Sequence, residues 1–183
     1  MDGTLRGDAP ETPIVLDGFV KGIGTFDNVV FDGIFSPGHS PALLTVGNTI
    51  YAASNVLEME LGGLIPGSQH DKVVHNGNAT LGGTLDVVLI NAFVPQLGNA
   101  FDIFDWNAGL TGTFATVNLP SLNPGLTWDS SDLYVGGQLV VTAIPEVSAF
   151  WLMGGATALL VIGASARRLW KSSSSTPLVR GIE

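Results

Sequence analysis

The sequence predicts an all-β body followed by a single C-terminal transmembrane helix. Glycine and proline are frequent, with 24 and 10 of the 183 residues, whereas charged residues make up only 13%. Turn-forming pairs separate short runs of β-branched and aromatic residues up to residue 142, a pattern typical of strands. Residues 147–166 then carry no formal charge. About 20 helical residues are enough to cross the hydrocarbon core of a bilayer.

The predicted strands lie between turn signals along the body. Asp-Gly pairs begin at residues 17 and 32, Pro-Gly pairs at 37, 66 and 124, and an Asn-Gly pair at 76. The strands predicted between these turns are residues 14–16, 28–31, 42–46, 56–61, 72–75, 84–90, 100–104, 113–117 and 138–143.

Two of these runs indicate how the strands pack. In residues 56–61, three apolar side chains alternate with two glutamates, which predicts one buried and one solvated face. The members are Leu57, Met59 and Leu61 on one face and Glu58 and Glu60 on the other. Residues 86–90 are apolar almost throughout, which predicts a strand covered on both sides. A short β-solenoid running into a β-sandwich or capping sheet accommodates both patterns, although no strict repeat period of about 20 to 50 residues emerges.

Charge is divided sharply by the uncharged stretch. Residues 1–146 contain fifteen acidic and three basic side chains, a net charge of −12, and the residues after the stretch carry +3. Val147 and Ala166 are the expected ends of the span. The basic stop that follows consists of Arg167, Arg168 and Lys171. Because basic flanks stay in the cytoplasm, we expect the acidic body outside and the C-terminus inside.

The residues around this stretch resemble the PEP-CTERM sorting signal of bacterial envelope proteins. Pro145 and Glu146 match the first two motif positions, and Arg167 and Arg168 match its basic stop. Val147 departs from the motif, whose third position is usually proline. The resemblance implies export, anchoring by the helix and processing by a membrane cysteine protease of the exosortase type.

Short motifs of the body are similar to the final segment of large surface proteins with autotransporter-type β-strand repeats. Those motifs are Phe35-Ser36-Pro37-Gly38-His39-Ser40-Pro41, Leu57-Glu58-Met59-Glu60-Leu61-Gly62-Gly63, Leu81-Gly82-Gly83-Thr84-Leu85 and Gly112-Thr113-Phe114. In that family the segment closes a β-solenoid just before the anchor, so the resemblance implies a short solenoid in this chain.

The chain divides into four expected parts. Residues 1–13 form an irregular N-terminal lead, residues 14–143 a β-rich extracytoplasmic domain, residues 144–171 the sorting and anchor segment, and residues 172–183 a cytoplasmic tail. The first eight residues lack the charged-then-apolar pattern of a secretory signal peptide. We therefore expect further chain with a signal peptide upstream of Met1.

Three histidines, His39, His70 and His75, are the only side chains that titrate near neutral pH. A metal pair would need His70 and His75 on one face, and five residues of strand place them on opposite faces. We expect exposed loop histidines and no metal site. The chain has no cysteine, which excludes thiolate ligands and cysteine nucleophiles.

Acidic pairs raise the alternative of a glycosidase, which needs two carboxyl groups. The pairs are Glu58 with Glu60, Asp102 with Asp105, and Asp129 with Asp132. Cleavage of anionic sugars also needs clustered basic groups, and the body has only three scattered ones, so we expect no enzyme and no cofactor. Residues 27–33 and 129–132 supply oxygen ligands without the spacing of a calcium loop. The aromatic residues Trp106, Trp128 and Tyr134 are expected to pack internally rather than to stack on sugars.

The sequence thus predicts an exported structural or adhesive protein of the bacterial cell envelope. Expected partners are the membrane, through one helix, an exosortase-type protease, and exopolysaccharide or other surface proteins. The acidic body excludes nucleic acid. Two alternatives remain: a carbohydrate-binding or carbohydrate-cleaving β-solenoid module, and a tail-anchored protein whose body faces the cytosol.

Overall fold

The computed structural model describes residues 3–9, 11–39 and 41–145, and this part of the chain is all-β. Its strands are β1 (Thr4–Arg6), β2 (Ile14–Gly22), β3 (Thr25–Asp27), β4 (Val29–Pro37), β5 (Leu43–Val46), β6 (Thr49–Tyr51), β7 (Val56–Leu61), β8 (Lys72–His75), β9 (Ala79–Leu81), β10 (Thr84–Leu89), β11 (Ala100–Asp102), β12 (Phe104–Trp106), β13 (Leu110–Gly112), β14 (Thr116–Asn118), β15 (Leu126–Asp129) and β16 (Gln138–Ala143). The prediction of an all-β body is therefore confirmed.

The expected membrane anchor lies outside the described residues. Glu146, Val147, Ala166, Arg167, Arg168 and Lys171 all belong to it. Among residues 3–9, 11–39 and 41–145, no helix has the length and apolar character needed to cross a membrane.

Two of the three sheets contain only parallel pairs. The first has the strand order β1-β3-β5-β8-β12. The second has the order β13-β9-β6-β4-β7-β10-β14, and β2 also pairs with β4. Because parallel neighbours cannot be joined by a tight hairpin, the chain leaves each sheet and returns to the same end before it pairs again.

The chain makes successive circuits through these two sheets. β1 leads into β2 and β3 into β4, and then β5-β6-β7, β8-β9-β10 and β12-β13-β14 follow in the same way. The circuits differ in length, since Phe26 pairs with Val46, Val46 with His75, and His75 with Trp106, at separations of 20, 29 and 31 residues. Unequal circuits explain why the sequence has no strict period.

Side-chain alternation directs aromatic residues into the core. Phe31 and Phe35 of β4 are fully buried, and their rings stack with centroids 4.0 Å apart. Phe26 meets both rings edge-on, at 5.4 and 5.6 Å, and Tyr51 stacks on Phe31 at 5.4 Å. Burying each ring stabilises the fold by about 2 to 3 kcal/mol, so this cluster binds neighbouring circuits together.

A third sheet is antiparallel and has the strand order β11-β16-β15. The carbonyl of Gly137, just before β16, accepts hydrogen bonds from the backbone N–H groups of Ile103 and Phe104 at 3.0 and 3.1 Å. Leu139 and Val141 of β16 are fully buried in the same core as the aromatic cluster. This sheet therefore adjoins β12, the last strand of the first sheet, and shares its core.

Strand positions agree with the sequence predictions only in part. The two longest strands, β2 and β4, continue well beyond the predicted residues 14–16 and 28–31, so the turns predicted at the Asp-Gly pairs 17 and 32 are wrong. β7, β8 and β16 have the predicted bounds. The single strand predicted at residues 100–104 is wrong, because Ile103 separates β11 from β12 and these strands belong to different sheets. The strand predicted at 113–117 begins only at Thr116, since Phe114 turns into the core before it. Strand β1 lies within residues 1–13, where we expected irregular structure.

The predicted burial of β7 is correct for one of its faces and wrong for the other. Leu57, Met59 and Leu61 are fully buried, as expected. The prediction that the glutamate face is solvated is wrong, because Glu58 is half-buried and Glu60 is only 9% exposed. Residues 86–90 carry one buried side chain, that of Val87, and half-buried neighbours, so their outer face is only partly covered.

Candidate functional site

Polar side chains stack at the turn where each circuit passes from the first sheet to the second. Oδ1 of Asp27 accepts a hydrogen bond from the N–H of Asn48 at 2.9 Å, and Oδ1 of Asn48 accepts one from the N–H of Asn78 at 3.0 Å. Oδ1 of Asn78 in turn accepts from the N–H of Gly109 at 3.0 Å. We call Asp27, Asn48 and Asn78 the turn ladder. It satisfies backbone donors that the strand pairing does not reach.

Glycine is required beside the turn ladder because the circuits approach closely there. A Cβ atom on Gly77 would collide with the backbone of Gly47 and Asn48. A Cβ atom on Gly47 would collide with the carboxylate of Asp27. The Gly-Asn and Asn-Gly pairs of the sequence are therefore contact points between circuits as well as turn residues.

Two shallow grooves border the turn ladder, with volumes of about 410 and 260 Å³, and Asn28 and Asn48 belong to both. The larger groove is lined by Pro13, Asn28, Val29, Asn48, Thr49, Ile50, Asn78 and Thr80. Its polar groups are uncharged amides and hydroxyls, and such groups can bind a hydroxyl-rich ligand through hydrogen bonds. The smaller groove contains an ion pair between Arg6 and Asp27, with 2.8 Å between nitrogen and oxygen.

The acidic pair Asp102 and Asp105 is neutralised by a lysine from an adjacent strand. Nζ of Lys72 lies 2.5 Å from Oδ2 of Asp102 and 3.0 Å from Oδ2 of Asp105. Partial burial lowers the pKa of Lys72, but hydrogen bonds to both carboxylates outweigh that effect and raise the pKa above its usual value. Both carboxylates therefore bind the same lysine side chain.

The acidic pair Asp129 and Asp132 accepts hydrogen bonds from the backbone of the turn in which both residues lie. Oδ1 of Asp129 accepts a hydrogen bond from the N–H of Ser131 at 2.9 Å, and hydrogen bonds from Ser131 lower the pKa of Asp129. Oδ1 of Asp132 accepts from the N–H of Gly136 at 3.2 Å. Both side chains therefore stabilise the turn between β15 and β16. In the part of the chain that the structure describes, no three His, Cys, Asp or Glu side chains are placed to hold a metal ion.

The prediction of exposed histidines is correct for His39 and wrong for His70 and His75. His70 is fully buried, with Nδ1 3.1 Å from the carbonyl of Gly63 and Nε2 3.3 Å from that of Asp102. Burial lowers the pKa of His70. A neutral imidazole has a single N–H, so His70 donates to only one of these two carbonyls, and its other ring nitrogen faces the second carbonyl without a hydrogen bond.

His75 belongs to the aromatic core. Its Nε2 lies 2.9 Å from the hydroxyl of Tyr51, and its ring centroid lies 4.5 Å from that of Trp106. Nδ1 is buried and has no hydrogen-bond partner among the described residues. Burial lowers the pKa of His75 to about 4 and raises that of Tyr51. Trp106 donates its indole N–H to the carbonyl of Leu133 at 3.1 Å, consistent with the predicted packing role.

A buried carboxylate that the sequence did not indicate is Asp71. Its Oδ1 accepts the N–H of Ala42 at 2.7 Å, and its Oδ2 accepts the N–H of Glu60 at 2.8 Å. Burial raises the pKa of Asp71 to about 6. Oε2 of Glu60 is buried without a hydrogen-bond partner among the described residues. Asp71 therefore joins the loop before β5 to strand β7. Its position in the sequence, between a histidine and a lysine, does not indicate a buried side chain.

The chain matches no protein-family model, and no curated protein matches it. Its function therefore has to be inferred from the stacking of the circuits and from the chemistry of its side chains.

Proposed function

We propose that the body is a β-solenoid and serves as a structural or adhesive part of the bacterial cell envelope. The observation that carries the proposal is the parallel pairing of successive circuits in two sheets. Such stacking builds an extended, rigid surface from short strands, because each circuit contacts chiefly its neighbours.

The use of the polar residues supports a structural role. Lys72, Asp71 and His70 each join different segments of the chain, and the hydrogen bonds of the turn ladder join four circuits. Groups with these partners hold the fold together and are not poised for proton transfer. We infer that the body is not an enzyme.

The compartment is inferred from the sequence of residues 144–183. The uncharged stretch bounded by Val147 and Ala166, with Arg167, Arg168 and Lys171 after it, favours one membrane crossing with the body outside. Pro145 and Glu146 are then the recognition residues for an exosortase-type protease. Processing would release the body to the cell surface or its matrix.

Protease protection in a bacterium that contains an exosortase tests this proposal. A protease added to intact cells should degrade the body, and the P145A/E146A variant should accumulate as an unprocessed membrane form. Replacing Arg180, which lies beyond the basic stop, by Gln is the matched control and should leave processing unchanged. A body that is protected in intact cells and degraded only after lysis would establish the tail-anchored alternative instead.

A second candidate function, carbohydrate binding, is favoured by the larger groove beside the turn ladder. Asn48, Asn78 and Thr80 present neutral hydrogen-bonding groups next to the apolar side chain of Ile50. A glycan array with the purified chain should then reveal neutral oligosaccharides whose binding is weakened by T80V. Release of reducing sugar by the chain would contradict the structural proposal.

A further inference from the structure

The loops that follow β7 and β10 expose apolar side chains. We call residues 62–71 and 90–99 the return loops, because each leads the chain out of the second sheet. Their exposed apolar residues are Leu64, Ile65, Val94 and Leu97, at 46%, 57%, 51% and 61%. Exposed apolar side chains are common singly and are informative where they share one region of the surface.

The two return loops lie side by side at both of their ends. Where they begin, the N–H of Ile90 donates to the carbonyl of Leu61 at 3.0 Å, and a Cβ atom on Gly62 would lie 2.9 Å from Cγ1 of Ile90. Where they end, Nε2 of His70 lies 3.3 Å from the carbonyl oxygen of Asp102, shortly after the second loop. The exposed side chains of the two loops therefore belong to one region of the surface.

This region presents no negative charge, although the body is strongly acidic. The return loops, which the structure describes in full, contain no Lys, Arg or Glu, and their single Asp, Asp71, is fully buried. Residues 1–146 carry a net charge of −12. Acidic groups are repelled by anionic lipid headgroups, whereas an uncharged apolar region is not.

The strand that leads towards the expected membrane span passes beside the second return loop. The N–H of Gly98 donates to the carbonyl of Val141 in β16 at 2.9 Å, and the N–H of Val141 donates to the carbonyl of Asn99 at 2.8 Å. β16 ends at Ala143, and the uncharged stretch begins four residues later, at Val147. Four residues extend over at most about 14 Å. In the anchored protein, the bilayer surface therefore lies close to the return loops.

We propose that the return loops rest on the lipid bilayer, with the side chains of Leu64, Ile65, Val94 and Leu97 at its headgroup boundary. Apolar groups in this position are buried about 5 to 10 Å into the boundary between headgroups and acyl chains. The contact presupposes the anchor of the proposed function and adds a second attachment beside it. It fixes which side of the body faces the membrane.

Quenching of fluorescence by labelled lipid in phosphatidylcholine vesicles tests this contact in the full-length chain. Because the chain has no cysteine, an environment-sensitive dye can be attached to single cysteines in I65C and L97C. A nitroxide near the glycerol of the phosphatidylcholine should quench most of the fluorescence of both dyes. V135C is the matched control, since Val135 is also apolar and is 79% exposed. It precedes β16, whose six residues place it about 20 Å or more from Ala143, so its dye should keep its fluorescence.

A charge placed in the return loops should remove the contact. With the dye on V94C, the additional changes I65D and L97D should abolish most of the quenching, because burial of a carboxylate in lipid is unfavourable. V135D makes the same kind of change at the control position and should leave the quenching of the V94C dye unaltered.

Flotation of the same vesicles separates failure of this contact from failure of the anchor. A chain that does not float with the vesicles contradicts the anchor and this proposal with it. A chain that floats while the dyes at residues 65 and 97 are quenched no more than the dye at residue 135 overturns the contact alone. Blue-shifted emission at residues 65 and 97 without quenching by lipid would show that protein covers the loops, either a second copy or another part of the chain, and would likewise overturn the contact.

Discussion

Replacing Gly77 by Ala should strongly destabilise the body, because the circuits meet backbone to backbone at that turn. The added Cβ atom would collide with the backbone of Gly47 and Asn48, neither of which can rotate away as a side chain would. The turn of the fourth circuit must then move away from the turn of the third.

The size of the effect follows from the hydrogen bonds within reach of that movement. They are Asn76 N–H to Val46 O at 2.8 Å, Thr49 N–H to Asn78 O at 2.9 Å and Asn78 N–H to Asn48 Oδ1 at 3.0 Å. Losing three such bonds costs about 3 kcal/mol. Alanine offsets about 0.4 to 1 kcal/mol by restricting the unfolded chain. We therefore expect G77A to lower the free energy of unfolding by about 2 kcal/mol.

Urea unfolding followed by far-ultraviolet circular dichroism measures this difference. Alanine substitutions at two other glycines, Gly3 and Gly109, provide comparisons in which the added Cβ atom meets less. A Cβ atom on Gly3 meets nothing within 4 Å, and a Cβ atom on Gly109 meets the side-chain amide of Asn78, with its oxygen at 2.7 Å. G3A should lie within about 0.5 kcal/mol of wild type, and G109A between G3A and G77A. If G77A is as stable as G3A, the close stacking at the turn ladder is refuted.

Three further variants, H75Q, D71N and K72M, can be measured in the same urea-unfolding assay, and the first two differ from wild type with opposite dependence on pH. The pKa of His75 is lowered to about 4, so the stabilisation from its neutral form is complete above pH 6.5 and is lost as the pH falls towards 4. Over that range the free energy of unfolding of wild type should fall by about 3 kcal/mol relative to that of H75Q. The pKa of Asp71 is raised to about 6, so the stabilisation from its protonated form is complete below pH 3.8 and is lost as the pH rises towards 6. Between those pH values the free energy of unfolding of wild type should fall by about 3 kcal/mol relative to that of D71N. K72M should destabilise the body by about 1 to 2 kcal/mol at neutral pH by leaving two carboxylates without their cation, and K72M/D105N should recover part of the loss. Parallel pH profiles for wild type and either neutral variant, or no recovery in the double variant, would contradict these assignments.

The sequence predicted strand bounds well where an unbroken run lies between turn signals, whereas β2 and β4 each contain an Asp-Gly pair at which the predicted strand ended too early. β7 and β8 were found with their bounds, since β-branched or alternating residues fill them between turn signals. β6, β9 and β13 were missed because each has only three residues and begins directly after a polar turn. Alternation cannot be recognised over so short a run, and the pairing partner lies 30 or more residues away in β6–β9 and β9–β13.

The candidate site could be predicted only in part for a related reason. The Asn-Gly pair at residue 76 indicated a turn, but its contact with Gly47 depends on the register between circuits, which no local pattern reveals. Asp71 was not recognised because its two donors come from Ala42 and Glu60, far apart in sequence. Likewise, burial of His75 follows from its pairing between Val46 and Trp106.

Pairwise cysteine cross-linking tests the stacking of circuits most directly, since the chain has no cysteine of its own. Ile50 pairs with Thr80 and Thr80 with Thr111 on the outer face of the second sheet. Neighbouring strands lie about 4.8 Å apart, within the Cα separation that a disulfide allows, whereas strands two apart lie at about twice that distance. The stacking predicts disulfides in I50C/T80C and T80C/T111C and none in I50C/T111C; efficient cross-linking of I50C/T111C, with none in the two adjacent pairs, would contradict it.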